Sequence, residues 1–183
     1  MSEQLKTKYE VIKILRDTLI EGMSMLGMSG WGVMEYGQAS FEKADKIILL
    51  NNIRNERVGW QAVRYPVAGP QDILHRRDEW IEEQTWQAHV VLKRTTAPVS
   101  ASTETAEDVA DKLVAWLNGA GMGLLRNSGV APLRIDTNTI FVYNDDSAVY
   151  QRRATFSVKV QVPKELTYRQ DDMDTVIPKV MPV

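Results

Sequence analysis

Apolar residues recur at three- and four-residue steps near the start of the chain. Leu5, Tyr9, Ile12, Leu19, Met23 and Leu26 form a stripe with Leu15 beside it, while Glu10, Lys13, Arg16, Asp17 and Glu21 fall off it. That spacing predicts an amphipathic helix over 5–26. Gly27 and Gly30 predict its end, since glycine takes the left-handed conformation of a helix C-terminus at little cost. The Gly-rich, aromatic stretch 29–40 reads as an ordered loop or irregular strand. Ile47, Ile48, Leu49, Leu50 and Ile53 then predict a strand over 46–54, buried on both faces at its start. A second strand is expected over 58–65, with Asn55, Glu56 and Arg57 as the turn between them. Pro66, Gly69 and Pro70 break the pattern, and 71–78 reads as a polar loop or short helical turn.

Within 80–93 the alternation is clean: Trp86, Ala88, Val90 and Leu92 share one face, and Gln87, His89 and Lys93 the other. This predicts a long, half-buried antiparallel strand. A turn-forming connection over 95–102 leads to a second helix. Thr105 with Asp108 has the spacing of a capping box, and Glu107 and Asp108 suit the positive end of a helix. Val109, Leu113, Trp116 and Leu117 make its apolar face, and Gly119 is expected to end it, leaving 119–123 as a flexible segment. Two more strands follow, over 133–143 with Ile135, Phe141 and Tyr143 on one face, and over 149–162. Between them 144–147 has turn chemistry. In the last strand Phe156, Val158, Val160 and Val162 are expected inward, and Thr155, Ser157, Lys159 and Gln161 outward.

The order helix, three strands, helix, two strands predicts an α+β fold: a mostly antiparallel sheet with two packed helices. A single domain is expected over 1–163, with its N-terminal helix and a loop at 28–45, followed by a C-terminal arm or edge strand over 164–183. A chain of 183 residues buries roughly 70% of its unfolded surface, enough for a core without a metal or disulfide staple. It has no cysteine, which excludes disulfides, thiolate metal sites and cysteine nucleophiles. A net charge of −2 argues against bulk electrostatic binding to nucleic acid. With no signal-like start and no apolar run longer than 47–50, a soluble intracellular protein without a membrane segment is expected.

Chemistry-bearing motifs are sparse. His75 and His89 stand 14 positions apart, one in the expected polar loop and one on the polar face of a strand. Neither has the close spacing of metal ligands. Gly119, Gly121 and Gly123 follow a helix, whereas a phosphate-binding loop follows a strand and opens a helix. Asp171, Asp172 and Asp174 lack the glycine and closing glutamate of a calcium loop. No catalytic, metal or cofactor residues are assigned. The basic pairs Arg76–Arg77 and Arg152–Arg153 are candidates for contacts with neighbouring chains or with a DNA path. Trp31 and Trp60, each beside a glycine in polar company, are interface candidates because aromatic residues concentrate at interfaces.

The second half resembles a known family. The strand WQAHVVLKR, the helix ETAEDVADKLVAWLN, the strands LRIDTNTIFVYND and YQRRATFSVKVQVPKEL, and the tail DTVIPKV follow the order of bacteriophage tail terminator and neck terminator proteins. Arg153, Ala154, Phe156 and Val158 stand where that family has its R-A-x-F-x-V strand. The resemblance spans about residues 80–183. It implies a non-enzymatic, cofactor-free homo-oligomeric ring, usually a hexamer, that caps the tail tube and halts tube and sheath polymerisation. Such a ring meets the head connector or adaptor protein, passes genomic DNA through its lumen, and resides in the virion tail or neck after assembly in the host cytoplasm. The alternatives are another neck component (a head completion or connector-adaptor protein), a small-ligand binding α+β domain, and a hydrolase built around His75 or His89.

Overall fold

A computed structural model describes the backbone of residues 7–36, 45–64, 67–68, 73–94, 104–133, 135–144 and 150–169. Side chains are described for 7–36, 45–63, 78–92, 104–133, 135 and 154–165.

Helix α1 spans Lys8–Met25 and starts at a capping box that the apolar stripe alone did not reveal. The Thr7 hydroxyl accepts from the Glu10 N–H at 3.2 Å, and the Glu10 carboxylate accepts from the Thr7 N–H at 2.6 Å. Two otherwise orphaned N–H groups are thereby satisfied. At the other end Met28 N–H bonds to Met23 C=O and Gly27 N–H to Ser24 C=O, with Gly27 at φ +69°. This is the two-bond closure that requires a left-handed residue, as the glycine predicted. The buried stripe is rotated from the expected one: Val11, Ile12, Leu15, Leu19 and Met23 are inside, while Tyr9 and Leu26 are exposed. Leu5 lies outside the described residues.

Among the described residues seven strands form one sheet in the order β1-β2-β4-β7-β5, with β3 beside β4 and β6 beside β7. They are β1 Gly32–Glu35, β2 Lys46–Arg64, β3 Val67–Ala68, β4 Ile73–Arg94, β5 Ala131–Pro132, β6 Asp136–Asn144 and β7 Tyr150–Arg169. Among the described strands β1 and β2 run parallel and the other pairings are antiparallel. The class and the order helix, three strands, helix, two strands stand as expected, with the two-residue strands β3 and β5 added.

Three details differ from expectation. No turn interrupts β2 at Asn55–Arg57; those residues pair with Gln84, Glu83 and Glu82 of β4. The expected polar loop at 71–78 is strand from Ile73 onward, partnered by β7 near the chain's end. Likewise β7 continues past Pro163 to Arg169, pairing with β4 to His75. In each case a long-range partner outweighed local turn or loop chemistry. The expected connection at 95–102, the turn residues 145–147 and the acidic tail from 170 lie outside the described residues.

The helices lie on one face of the sheet. Helix α2, Ala106–Trp116, begins at the expected capping box, where Thr105 accepts from the Asp108 N–H at 3.2 Å. Gly119 does not end the helical path. A five-residue wide turn, Leu117–Gly121, kinks there (Gly119 φ −105°, ψ −106°) and continues as α3, Met122–Asn127. Across that kink Asn118 clamps the chain entering β6, donating to Ile135 C=O at 2.9 Å and accepting from Ile135 N–H at 3.0 Å. The indole of Trp116 sits between two glycines: a Cβ on Gly22 would lie 2.6 Å from the ring, and one on Gly121 2.8 Å. Only hydrogen there lets α1 and the kink close on the ring.

Beneath the helices the core collects Ile48 and Leu50 of β2, Trp86, Ala88 and Val90 of β4, and Phe156, Val158, Val160 and Val162 of β7. Leu15, Leu19, Val109 and Leu113 cover them from above. On the opposite face Ile47, Leu49 and Val91 form a smaller buried cluster against Met34, so the start of β2 is buried on both faces as expected. Thr155, expected outward, is buried there because it shares a transverse row with His89 and Leu49.

Candidate functional site

Strands in globular proteins usually run about 5–6 residues. Here β2, β4 and β7 have 19, 22 and 20. At about 3.3 Å per residue, β4 extends roughly 70 Å along its path, far more than the helices cover. Its upper part lies in the core; its lower part, with the matching parts of β2 and β7, is a three-stranded ribbon.

The change from core to ribbon is chemically sharp on the helix side. Trp86 Nε1 donates to Gln84 Oε1 at 3.1 Å, and Gln84 Nε2 donates to Glu82 Oε1 at 2.6 Å. Glu82 also faces Lys164 Nζ at 3.9 Å. Alternate residues of one strand thus pass a polar chain down the face where apolar residues stop, and the buried indole N–H is satisfied by it. Below, the Arg57 guanidinium lies over the Trp80 ring, 4.6 Å from its centroid, and donates to Gln61 Oε1 at 3.0 Å. Glu56 and Glu83 stand directly opposite, a like-charge pair, and Arg54 forms a salt bridge to Glu56.

The ribbon also exposes apolar surface. Ile53 stands at the first register shift of β2, between Asn52 and Arg54, and is 50% exposed. Val58 and Ile81 are cross-strand partners, and Ile81 pairs onward with Pro163, giving an exposed row across all three strands. Between Val58 and Ala62 the register shifts again, setting Gly59, Trp60 and Gln61 against Trp80 alone. Gly59 at φ +78° makes that bulge possible, and Trp60 on it is 100% exposed.

The sequence-selected residues occupy three places. Arg76 and Arg77 are in β4 rather than a loop, paired with Tyr168 and Thr167 at the far end of the ribbon. Arg152 and Arg153 pair with Leu92 and Val91 at the opposite end of β4, with β6 on their other side. Sixteen β7 positions separate Arg152 from Tyr168, about 50 Å, so the two basic pairs form no single patch within one chain. Trp31 packs against the core with its indole N–H buried and no hydrogen-bond partner among the described residues. Trp60 is on the bulge. The residues that sequence reading missed are the exposed Ile53, Val58, Val63 and Ile81. The signal available was the absence of any Gly or Pro from 73 to 94, which permits one uninterrupted strand.

His75 and His89 lie on the same strand, 14 residues or about 46 Å apart, so they cannot share a site within one chain. His89 is half-buried with Tyr36 at 6.1 Å between ring centroids. Among the described residues no group of three His, Asp or Glu is placed to hold a metal ion. No described helix is long and apolar enough to cross a membrane.

The sheet outgrows its helices, and exposed apolar residues stand both on the excess, from Ile53 to Ile81, and on the body at Tyr9, Ile20, Met25, Leu26 and Tyr36. The sequence model of the family described as E217 gateway protein gp29 matches residues 10–171, and the chain belongs to that family, a bacteriophage head–tail gateway or neck family. The match covers the body and the ribbon alike, and so reaches well before residue 80, where the resemblance in sequence began. Comparison with curated proteins gives no match. Membership in a phage neck family carries a structural role at the junction of head and tail.

Proposed function

We propose that the protein forms a closed ring, a hexamer, at the head–tail junction. The ring caps the tail tube, stops tube and sheath polymerisation, meets the head connector, and leaves a lumen for DNA. The observation that carries this reading is the bare three-stranded ribbon. Its exposed apolar row and fully exposed Trp60 need a partner, and a head-to-tail contact repeated around an axis closes into a ring. The net charge of −2 fits a conduit, because each neutralised phosphate would add grip on passing DNA. On this reading Trp31 and Trp60 are subunit contacts. Arg76–Arg77 and Arg152–Arg153, about 50 Å apart, serve neighbouring chains or the DNA path at two separate levels.

The test is assembly on tails. Mixed with tail tubes, the protein is expected to form rings by negative stain at the tube end, with a mass several-fold above the 20.7 kDa chain. Particles made without it are expected to carry tails of uncontrolled length. A chain that stays monomeric with tubes and connectors, and is absent from purified virions, would overturn the proposal. The family's place at the neck also favours a second reading, a connector-adaptor ring that joins the head without capping the tube. Recovery on DNA-filled heads but never on free tails would select it.

A further inference from the structure

Both outer edges of the ribbon are open among the described residues. On β2, strand pairing with β1 stops at Leu50, leaving 51–64 without an outer neighbour. On β7, pairing with β5 stops at Gln161, short of Pro163. Because β2 and β7 are each antiparallel to β4, they run in the same direction. A rotation about an axis along the ribbon therefore brings the β2 edge of one copy beside the β7 edge of the next with directions preserved.

Each edge is also guarded against plain strand addition at the same height. The three-residue bulge Gly59–Trp60–Gln61 interrupts the β2 ladder opposite Trp80, and Pro163, opposite Ile81, removes a backbone donor from β7. Bulge and proline differ by one β4 position, about 3 Å. What these two points offer is side-chain surface: an indole that is 100% exposed and an exposed pyrrolidine ring. A flat aromatic face and a proline ring are complementary apolar surfaces, and tryptophan is enriched among interface anchors.

We infer that Trp60 of one copy packs on Pro163 of the next copy around the ring. This inference rests on the ring reading above and gives it a defined contact. The neighbour is a second copy because the two surfaces lie on opposite edges of one ribbon, at one height, and satisfy each other only between chains. Within one chain β4 separates them by two strand spacings, about 9.6 Å.

The chain has no cysteine, so the test needs no background removal. A W60C/P163C variant is assembled on tail tubes and oxidised. An intrachain disulfide is forbidden, since the separation exceeds the roughly 7 Å limit between Cα atoms. The expected result is a ladder of covalently joined chains on a non-reducing gel, ending at the subunit number of the ring. Trp60→Ala is expected to raise the concentration for half-maximal assembly at least about tenfold, with Trp60→Phe recovering part of the loss. Rings seen by microscopy without a ladder, or W60C alone giving paired chains, would overturn the contact and leave the ring standing. Absence of rings under every assembly condition, and of the chain from virions, would overturn both.

Discussion

The upper and lower parts of the same three strands live in different environments. Above, Trp86, Phe156 and Val158 are sealed between the sheet and the helices. Below, the strands keep their pairing but have Ile53, Val58, Trp60, Val63 and Ile81 in solvent. The β4–β7 pairing runs unbroken through both and β2 follows with two register shifts, so strand pairing is not the main distinction. Layer packing is. A sheet with one face packed on helices is a core, and the same sheet without that layer is a surface awaiting one. The upper part holds the buried apolar contacts and the lower part exposes its apolar residues, so mutations should separate stability from the proposed assembly.

Trp86→Ala should show the largest effect on stability, about 3–5 kcal/mol, because it empties the centre of the core and orphans Gln84. Urea unfolding of the free chain measures this, and a loss below about 1 kcal/mol would dissolve the contrast between the halves. Gly22→Leu is expected to cost about 3 kcal/mol by forcing a side chain into the Trp116 ring, read from the same curves. In the ribbon Gly59→Ala should cost about 1–2 kcal/mol at its left-handed backbone and, on the proposed ring, slow assembly by shifting the bulge. Trp60→Ala sharpens the comparison most: unfolding of the free chain should change by no more than about 0.5 kcal/mol while the proposed assembly weakens at least about tenfold.

The smallest effect belongs to an exposed pair on the body. Lys112 donates to Glu104 at 2.8 Å, and that hydrogen bond, with the carboxylate's charge, raises the lysine above its ordinary 10.5. A raised lysine contributes fully at neutral pH and loses its contribution only as pH climbs through the raised value. Because both side chains are well exposed, Glu104→Gln should leave the neutral-pH melting curve unchanged within resolution, with any difference from wild type closing further in strong alkali.

The body was largely legible in the sequence because periodicity reports burial. The alternation at Trp86, Ala88, Val90 and Leu92, and that from Phe156 to Val162, named the core face directly. So did the Thr105–Asp108 cap. The ribbon was not legible, because its strands lack a buried face to impose alternation and are held by partners remote in sequence. Asn55, Glu56 and Arg57 carry turn chemistry, yet β4 pairs all three. Gly59 looked like ordinary strand content and proved to be a bulge. The kink at Gly119 was hidden for a related reason: a glycine marks a helix end or a bend equally well, and the Asn118 clamp on Ile135 decides between them.

Of the three long strands only β4 has neither glycine nor proline and lies central throughout, from the far end of the ribbon to the Trp86 layer. Mechanically it is a stiff lever with no hinge. A push or twist applied at its outer end would be carried along paired backbone toward the packed interior in place of being lost in a flexing loop.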